Sequence, residues 1–96
     1  MGAESFVTYT HGDTAKEAFR VAVSEAQRDH GHSGYSGTIA EKNEFVMIDL
    51  PAGENPRDFA YALIDNDDSR ISDKWGPAGC IDLGEGKYLF FGWASS

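Results

Sequence analysis

Cysteine is almost absent from this sequence, which limits its covalent and metal chemistry. Cys80 is the only cysteine among 96 residues, so the chain forms no internal disulfide and builds no thiolate zinc site on its own. Long apolar runs are missing too, and none approaches the ~20 residues of a membrane-spanning helix. Residues 1–4 lack the basic stretch and apolar run of a signal peptide. We therefore expect a cytoplasmic protein without membrane contact.

Basic residues are scarce and scattered along the chain. Eight Lys and Arg stand against 16 Asp and Glu, giving a formal charge of −8. Such a surface repels phosphate backbones unless its cations cluster, so we expect no non-specific nucleic-acid binding. The hydrophobic fraction of 41% is ordinary for folded proteins. A chain of this length fits one domain, and we expect it to span residues 1–96.

Local patterns predict the element order β-α-β-β-α-β-β. Thr14 and Glu17 form a capping-box pattern at a helix start, and Asn55 before Pro56 marks a second start. Interleaved helices and a mostly antiparallel sheet predict an α+β fold, a two-layer sandwich like the ferredoxin-like plait with an extra C-terminal hairpin. The predicted elements are strands at Ser5–Thr10, Thr38–Lys42, Phe45–Leu50, Cys80–Leu83 and Lys87–Ala94, with helices from Thr14 to about Asp29 and from Pro56 to the Asp65–Ser69 loop.

The last predicted strand carries large apolar groups on both faces. Leu89, Phe91 and Trp93 alternate with Tyr88 and Phe90. Helices of a two-layer sandwich cover only one sheet face, and an uncovered apolar stripe is typical of an interface. We therefore predict a homodimer that associates through Leu89, Phe91 and Trp93. The alternative is a closed or strongly curled sheet that hides them within one subunit.

The glycine spacing Gly31, Gly34 and Gly37 resembles a phosphate-binding loop, but its position does not fit one. These glycines follow a helix end, where the dipole is negative, whereas phosphate-binding loops precede a helix start. Cys80 opens an apolar strand and is interpreted as a small buried hydrophobe. No pattern predicts a catalytic residue, a metal ligand or a cofactor.

Aromatic side chains beside glycine-rich loops are the candidate contact residues. Tyr35, Trp75 and Trp93 are suited to stack on a base or anchor a protein partner, and Lys42 and His32 join them as candidate ligand-binding or partner-binding residues. A second interpretation of Trp75 stays open, in which its ring folds back as a lid over the core.

Four segments of the sequence together resemble a known family: Thr14–Phe19, Gly34–Lys42, Lys74–Gly79 and Tyr88–Ala94. The family consists of small bacteriophage and prophage proteins of unassigned activity, notably those of phages of actinobacteria. The resemblance spans most of the chain, carries no catalytic motif and transfers no functional residue. It implies a protein that works in the cytoplasm of an infected bacterium.

Three hypotheses of function follow. The first is a non-enzymatic phage accessory protein that binds a host protein or a small ligand. The second is an anti-defence protein that sequesters a nucleotide signal, for which the available cations are Lys42, Arg57, Arg70 and Lys74. The third is a small hydrolase that uses a His/Asp pair, with His11 or His32 as the base.

Overall fold

The computed structural model describes residues 2–31 and 34–96. These residues form a mixed four-stranded sheet and two α-helices, so the predicted α+β class is confirmed. Neither helix in this part of the chain is long and apolar enough to cross a membrane. The strands are β1 (Ala3–His11), β2 (Phe45–Met47), β3 (Ala78–Gly84) and β4 (Lys87–Ser95), and the helices are α1 (Ala15–His30) and α2 (Pro56–Asp65).

Both helices begin where their capping residues predict. The hydroxyl of Thr14 accepts a hydrogen bond from the Glu17 backbone N–H at 3.1 Å, and the Glu17 carboxylate accepts one from the Asp13 N–H at 3.2 Å. The side-chain oxygen of Asn55 accepts from the Asp58 N–H at 3.1 Å. Each cap satisfies amides that have no partner within the helix.

The segment predicted as the second strand is a short 3-10 helix at Ile39–Glu41. The Thr38 hydroxyl accepts a hydrogen bond from the Ala40 N–H at 3.2 Å, and the Lys42 N–H donates to the Ile39 carbonyl at 2.9 Å. These local bonds replace the ladder that a strand would need. The predicted hairpin with Phe45–Leu50 is therefore wrong, and the observed order of strands and α-helices is β-α-β-α-β-β.

The strands lie in the order β1-β4-β3-β2. The central strand β4 is antiparallel to β1 and β3, whereas β2 is parallel to β3. The chain crosses the sheet from β1 to β2 through α1 and turns back from β2 to β3 through α2. Connections between parallel strands are almost always right-handed. The connection through α2 runs across the sheet in the opposite direction to the connection through α1, so the same handedness places α2 on the opposite face.

The two helices accordingly lie on opposite faces of the sheet, each over its own core. The predicted two-layer packing, with both helices on one face, is replaced by a sheet between two helices. Core residues on the α1 side include Phe6, Ala18, Ala22, Ile39, Cys80 and Phe90, and those on the α2 side include Ile48, Ala60, Ile64, Ile81, Leu89 and Phe91.

The predicted self-association surface is covered within one subunit. Leu89 and Phe91 are 0% exposed and pack in the α2-side core. Trp93 is half-buried against the same core, and its indole nitrogen is buried without a hydrogen-bond partner among the described residues. Assigning Leu89 and Phe91 to an interface was wrong because α2 covers their face, whereas the assignment of the half-buried Trp93 stays a prediction. The homodimer stays a prediction, without the surface that motivated it.

Candidate functional site

Two of the predicted contact residues come together on the surface. The rings of Tyr35 and Trp75 lie edge to face, with centroids 6.2 Å apart and an interplanar angle of 83°. Tyr35 is 48% exposed and Trp75 is 62% exposed. The lid interpretation of Trp75 is therefore wrong, since a ring this exposed does not close a core. We call Tyr35 and Trp75 the aromatic pair.

Trp75 sits in a turn that Asp73 organises. The Asp73 carboxylate accepts a hydrogen bond from the Trp75 N–H at 2.8 Å, and the Asp73 carbonyl accepts one from the Gly76 N–H at 2.9 Å. The Lys74 ammonium stands 5.4 Å from the centre of the Trp75 ring and donates to the Gly2 carbonyl at 3.3 Å. The exposed indole thus carries a positive charge beside its face.

A buried lysine supports this turn from below. Lys42 is 3% exposed, and its ammonium donates to the carbonyls of Asp73, Lys74 and Gly76 at 3.3, 3.2 and 2.9 Å. These bonds use all three donors of the group. Burial lowers the pKa of Lys42, and the Asp73 carboxylate partly opposes this. Lys42 therefore positions Trp75, and its predicted role in direct ligand binding is corrected.

Tyr35 is held in an unusual backbone conformation. Its φ of 56° lies in the left-handed region, which is uncommon for a residue with a bulky side chain. The next residue anchors this turn, because Ser36 donates through its N–H at 3.2 Å and its hydroxyl at 2.7 Å to the Glu41 carboxylate. Burial of Glu41 opposes ionisation, but the hydrogen bonds from Ser36 outweigh it and lower the Glu41 pKa.

We expect acid to loosen the turn that carries Tyr35. A carboxyl whose pKa is lowered on folding stabilises the fold above its unfolded value of ~4.3, and this contribution is lost as pH falls through the folded value. The Ser36 amide resonance in NMR should therefore titrate with a midpoint below the ordinary pKa of a glutamate carboxyl. In a Glu41→Gln variant it should not titrate. A midpoint at or above the unfolded value would contradict the anchoring role of Glu41.

The other predicted contact residues lie elsewhere. Trp93 is half-buried against the α2-side core, and His32 lies outside the described residues. Sequence reasoning missed Asp73 and Glu41, which shape the two turns. A signal was available for Asp73, because an Asp side chain commonly accepts a hydrogen bond from the backbone N–H two residues later and so closes a turn. Glu41 gave no comparable signal, since its bond to Ser36 depends on the 3-10 helix.

Metal-binding clusters and ion pairs between a histidine and a carboxylate are not found in the described ranges. No group of three or more His, Cys, Asp or Glu side chains is placed to hold a metal ion there. Burial, with a smaller effect of Asp82, raises the pKa of the Cys80 thiol to about 12, so it remains protonated at neutral pH. Within residues 2–31 and 34–96, neither His11 nor His30 forms an ion pair with a carboxylate.

Comparisons of the chain with known protein families, with curated proteins and with solved structures find no match. The resemblance to phage and prophage proteins therefore stays a prediction.

Proposed function

We propose that this chain is a non-enzymatic bacteriophage accessory protein that binds a host protein in the cytoplasm of the infected cell. The aromatic pair carries this proposal. Exposed Trp and Tyr side chains are the residues most enriched at energetically important contact positions. A Trp that is 62% exposed, on a turn fixed by three hydrogen bonds from Lys42, loses little conformational freedom when it binds.

The shape and charge of the aromatic pair favour a protein partner over a nucleotide signal. A base would need a ring face on which to stack and cations near its phosphates. Tyr35 meets Trp75 edge to face, and of the four proposed cations only Lys74 lies beside the pair. Lys42 is buried, Arg57 stands over Tyr61, and Arg70 pairs with Asp68 at 2.9 Å.

The hydrolase hypothesis has less support than binding. General acid–base catalysis needs a base within hydrogen-bond reach of the group it serves and a partner that orients it. His11 and His30 have no such partner in the part of the chain that the structure describes. The remaining histidine, His32, lies outside that part.

We expect Trp75→Ala to abolish capture of the host partner. The tagged chain would be incubated with lysate of an actinobacterial host, and bound proteins would be quantified by mass spectrometry. Truncating an aromatic anchor typically costs about 2 kcal/mol or more, or about 30-fold in affinity. A protein retained by the wild type should therefore be lost from the Trp75→Ala sample.

Tyr61→Ala is the matched control, because Tyr61 is another partly exposed aromatic residue with a cation over its ring. This variant should retain the partner. Equal loss from both variants, or retention by both, would contradict the proposed contact. Calorimetric titration with cyclic dinucleotides tests the second hypothesis, and heat of binding that disappears in Trp75→Ala would favour it over a protein partner.

A further inference from the structure

An open groove of about 700 Å³ runs between α1 and the segment that leads into β2. Its apolar lining comes from Phe19 and Val23 of the helix and Phe45 of the strand. The rings of Phe19 and Phe45 are in contact, with centroids 5.1 Å apart. These side chains are only partly buried, so the groove presents apolar surface beside one edge of the sheet.

The backbone of β2 bonds to β3 through alternate residues. The Glu44 carbonyl accepts from the Ala78 N–H at 3.0 Å, and the Ile48 N–H donates to the Cys80 carbonyl at 2.8 Å. In a parallel ladder the residues that bond to one neighbour are two apart. Even-numbered residues of this segment therefore bond to β3.

Phe45 and Met47 consequently point their N–H and C=O groups away from the sheet. The strand order leaves β2 at the edge, with no strand of the described chain on its outer side. Such an edge is a template for another strand. Phe45 and Met47 are two residues apart, so an antiparallel segment would form two hydrogen-bonded pairs with them, four backbone hydrogen bonds in all.

The helix wall of the groove is positive although the protein is acidic. Lys16 and Arg20 both line it, and they are four residues apart, so they repel each other weakly. Glu17 and Arg20 form no ion pair in the described ranges, and the Glu17 carboxylate accepts a hydrogen bond from the Asp13 N–H. Neither cation forms an ion pair with any residue in the described ranges. Glu44 lies on the opposite wall, which confines an acidic ligand group to the helix side.

We propose that an extended acidic segment of a partner protein adds to β2 as an antiparallel strand. Strand addition of this kind combines main-chain hydrogen bonds with pockets for alternate side chains. The residue opposite Phe45 points into the groove that Phe45 lines. The residue opposite Met47 points to the same face of the sheet, and the residue between them points to the other face. The first turns of α1, with Lys16 and Arg20, lie toward the carboxyl end of β2. The segment therefore carries an acidic residue opposite Met47 and, two positions later, an apolar residue opposite Phe45. This inference does not depend on the aromatic pair.

The test uses a fluorescent, end-blocked peptide of about six residues, Thr-Glu-Thr-Ile-Thr-Thr. Fluorescence anisotropy should show saturable binding, and a peptide with Lys in place of Glu should bind about tenfold more weakly or worse. The double substitution Lys16→Glu and Arg20→Glu reverses the charge of the helix wall, so this variant should bind the Lys peptide more tightly than the Glu peptide. Failure of the Glu peptide to bind at millimolar concentration, or binding that ignores the reversal, would overturn the proposal.

N-methylated peptides test the backbone pairing without altering the protein. Methylating the Glu or the Ile nitrogen removes a hydrogen bond to β2 and should weaken binding by about tenfold. Methylating the intervening Thr nitrogen, which faces away from β2, should change affinity little. Equal losses at all three positions would exclude strand addition. If the free protein is a dimer that Met47→Pro converts to a monomer, the edge serves a second copy of this chain and the proposal is wrong.

Discussion

Gly79→Ala should destabilise the fold by about 2–3 kcal/mol, the size expected when an added methyl group overpacks a core. Gly79 lies in β3 directly opposite Phe91 of β4. A Cβ at this position would stand 2.7 Å from the tip of the Phe91 ring. That ring is fully buried, so moving away from the added methyl group would disturb its neighbours in the core. Proteins of this size have about 5–15 kcal/mol of stability, so the loss is a large fraction of the total.

Thermal and denaturant unfolding measure this effect, with an expected drop in Tm of about 10–20 °C. Phe91→Leu provides the matched test of mechanism. Leu is shorter than Phe, so Gly79→Ala should cost less in the Phe91→Leu background than in the wild type. A double-mutant cycle would give the coupling energy. Strictly additive losses would mean that the methyl group and the ring do not compete for the same space.

Lys42→Met should cost about 2–3 kcal/mol and release the Trp75 turn. Met keeps an unbranched side chain of similar length but removes the ammonium that three carbonyls share. A buried acceptor left without its donor costs about 1–3 kcal/mol. Burial lowers the pKa of Lys42 because it disfavours the charged ammonium. Met has no charge to bury, and this gain offsets part of the stability lost with the hydrogen bonds.

Unfolding experiments would measure the stability change, and the fluorescence of Trp75 would report on the turn. Lys87→Met is the control, because Lys87 is exposed at the start of β4 and its replacement should change stability by less than about 0.5 kcal/mol. Lys42→Met should also weaken partner capture by the aromatic pair. If it behaves like Lys87→Met in both assays, Lys42 does not position the turn.

Local signals along the chain predicted the helices well. Thr14 and Asn55 mark both helix starts because a capping side chain acts within three residues. The same reasoning failed at Thr38–Lys42, where weak alternation indicated a strand. The Thr38 hydroxyl instead accepts from the Ala40 N–H, and a single such bond favours a 3-10 turn over a strand that would have no neighbour.

Local sequence patterns did not predict which helix covers each face of the sheet. The alternation of Leu89 and Phe91 with Phe90 predicted that both faces of β4 need cover, which is correct. The cover comes from α2, whose position depends on whether β2 runs parallel to β3. That pairing involves only three residues of β2, too few to reveal their direction by pattern. The sequence therefore indicated the need for cover but not its source.

The aromatic pair was predicted as two separate candidates. Its geometry depends on long-range contacts, since the Lys42 ammonium reaches the carbonyl of Lys74, a residue far along the chain. A lysine in an acidic sequence is usually solvated at the surface, which is why its role as a ligand contact was the natural hypothesis. Only tertiary structure distinguishes a free cation from one whose donors are all used.

The central position of β4 has a consequence for the order in which the chain folds. β1 pairs only with β4, in a register that sets Ala3 opposite Ser95. β1 therefore has no neighbouring strand until β4 has formed, because the other two strands lie beyond β4. Since β4 also contributes residues to both cores, neither core closes before that pairing, and folding is expected to be slow and governed by distant chain segments finding each other.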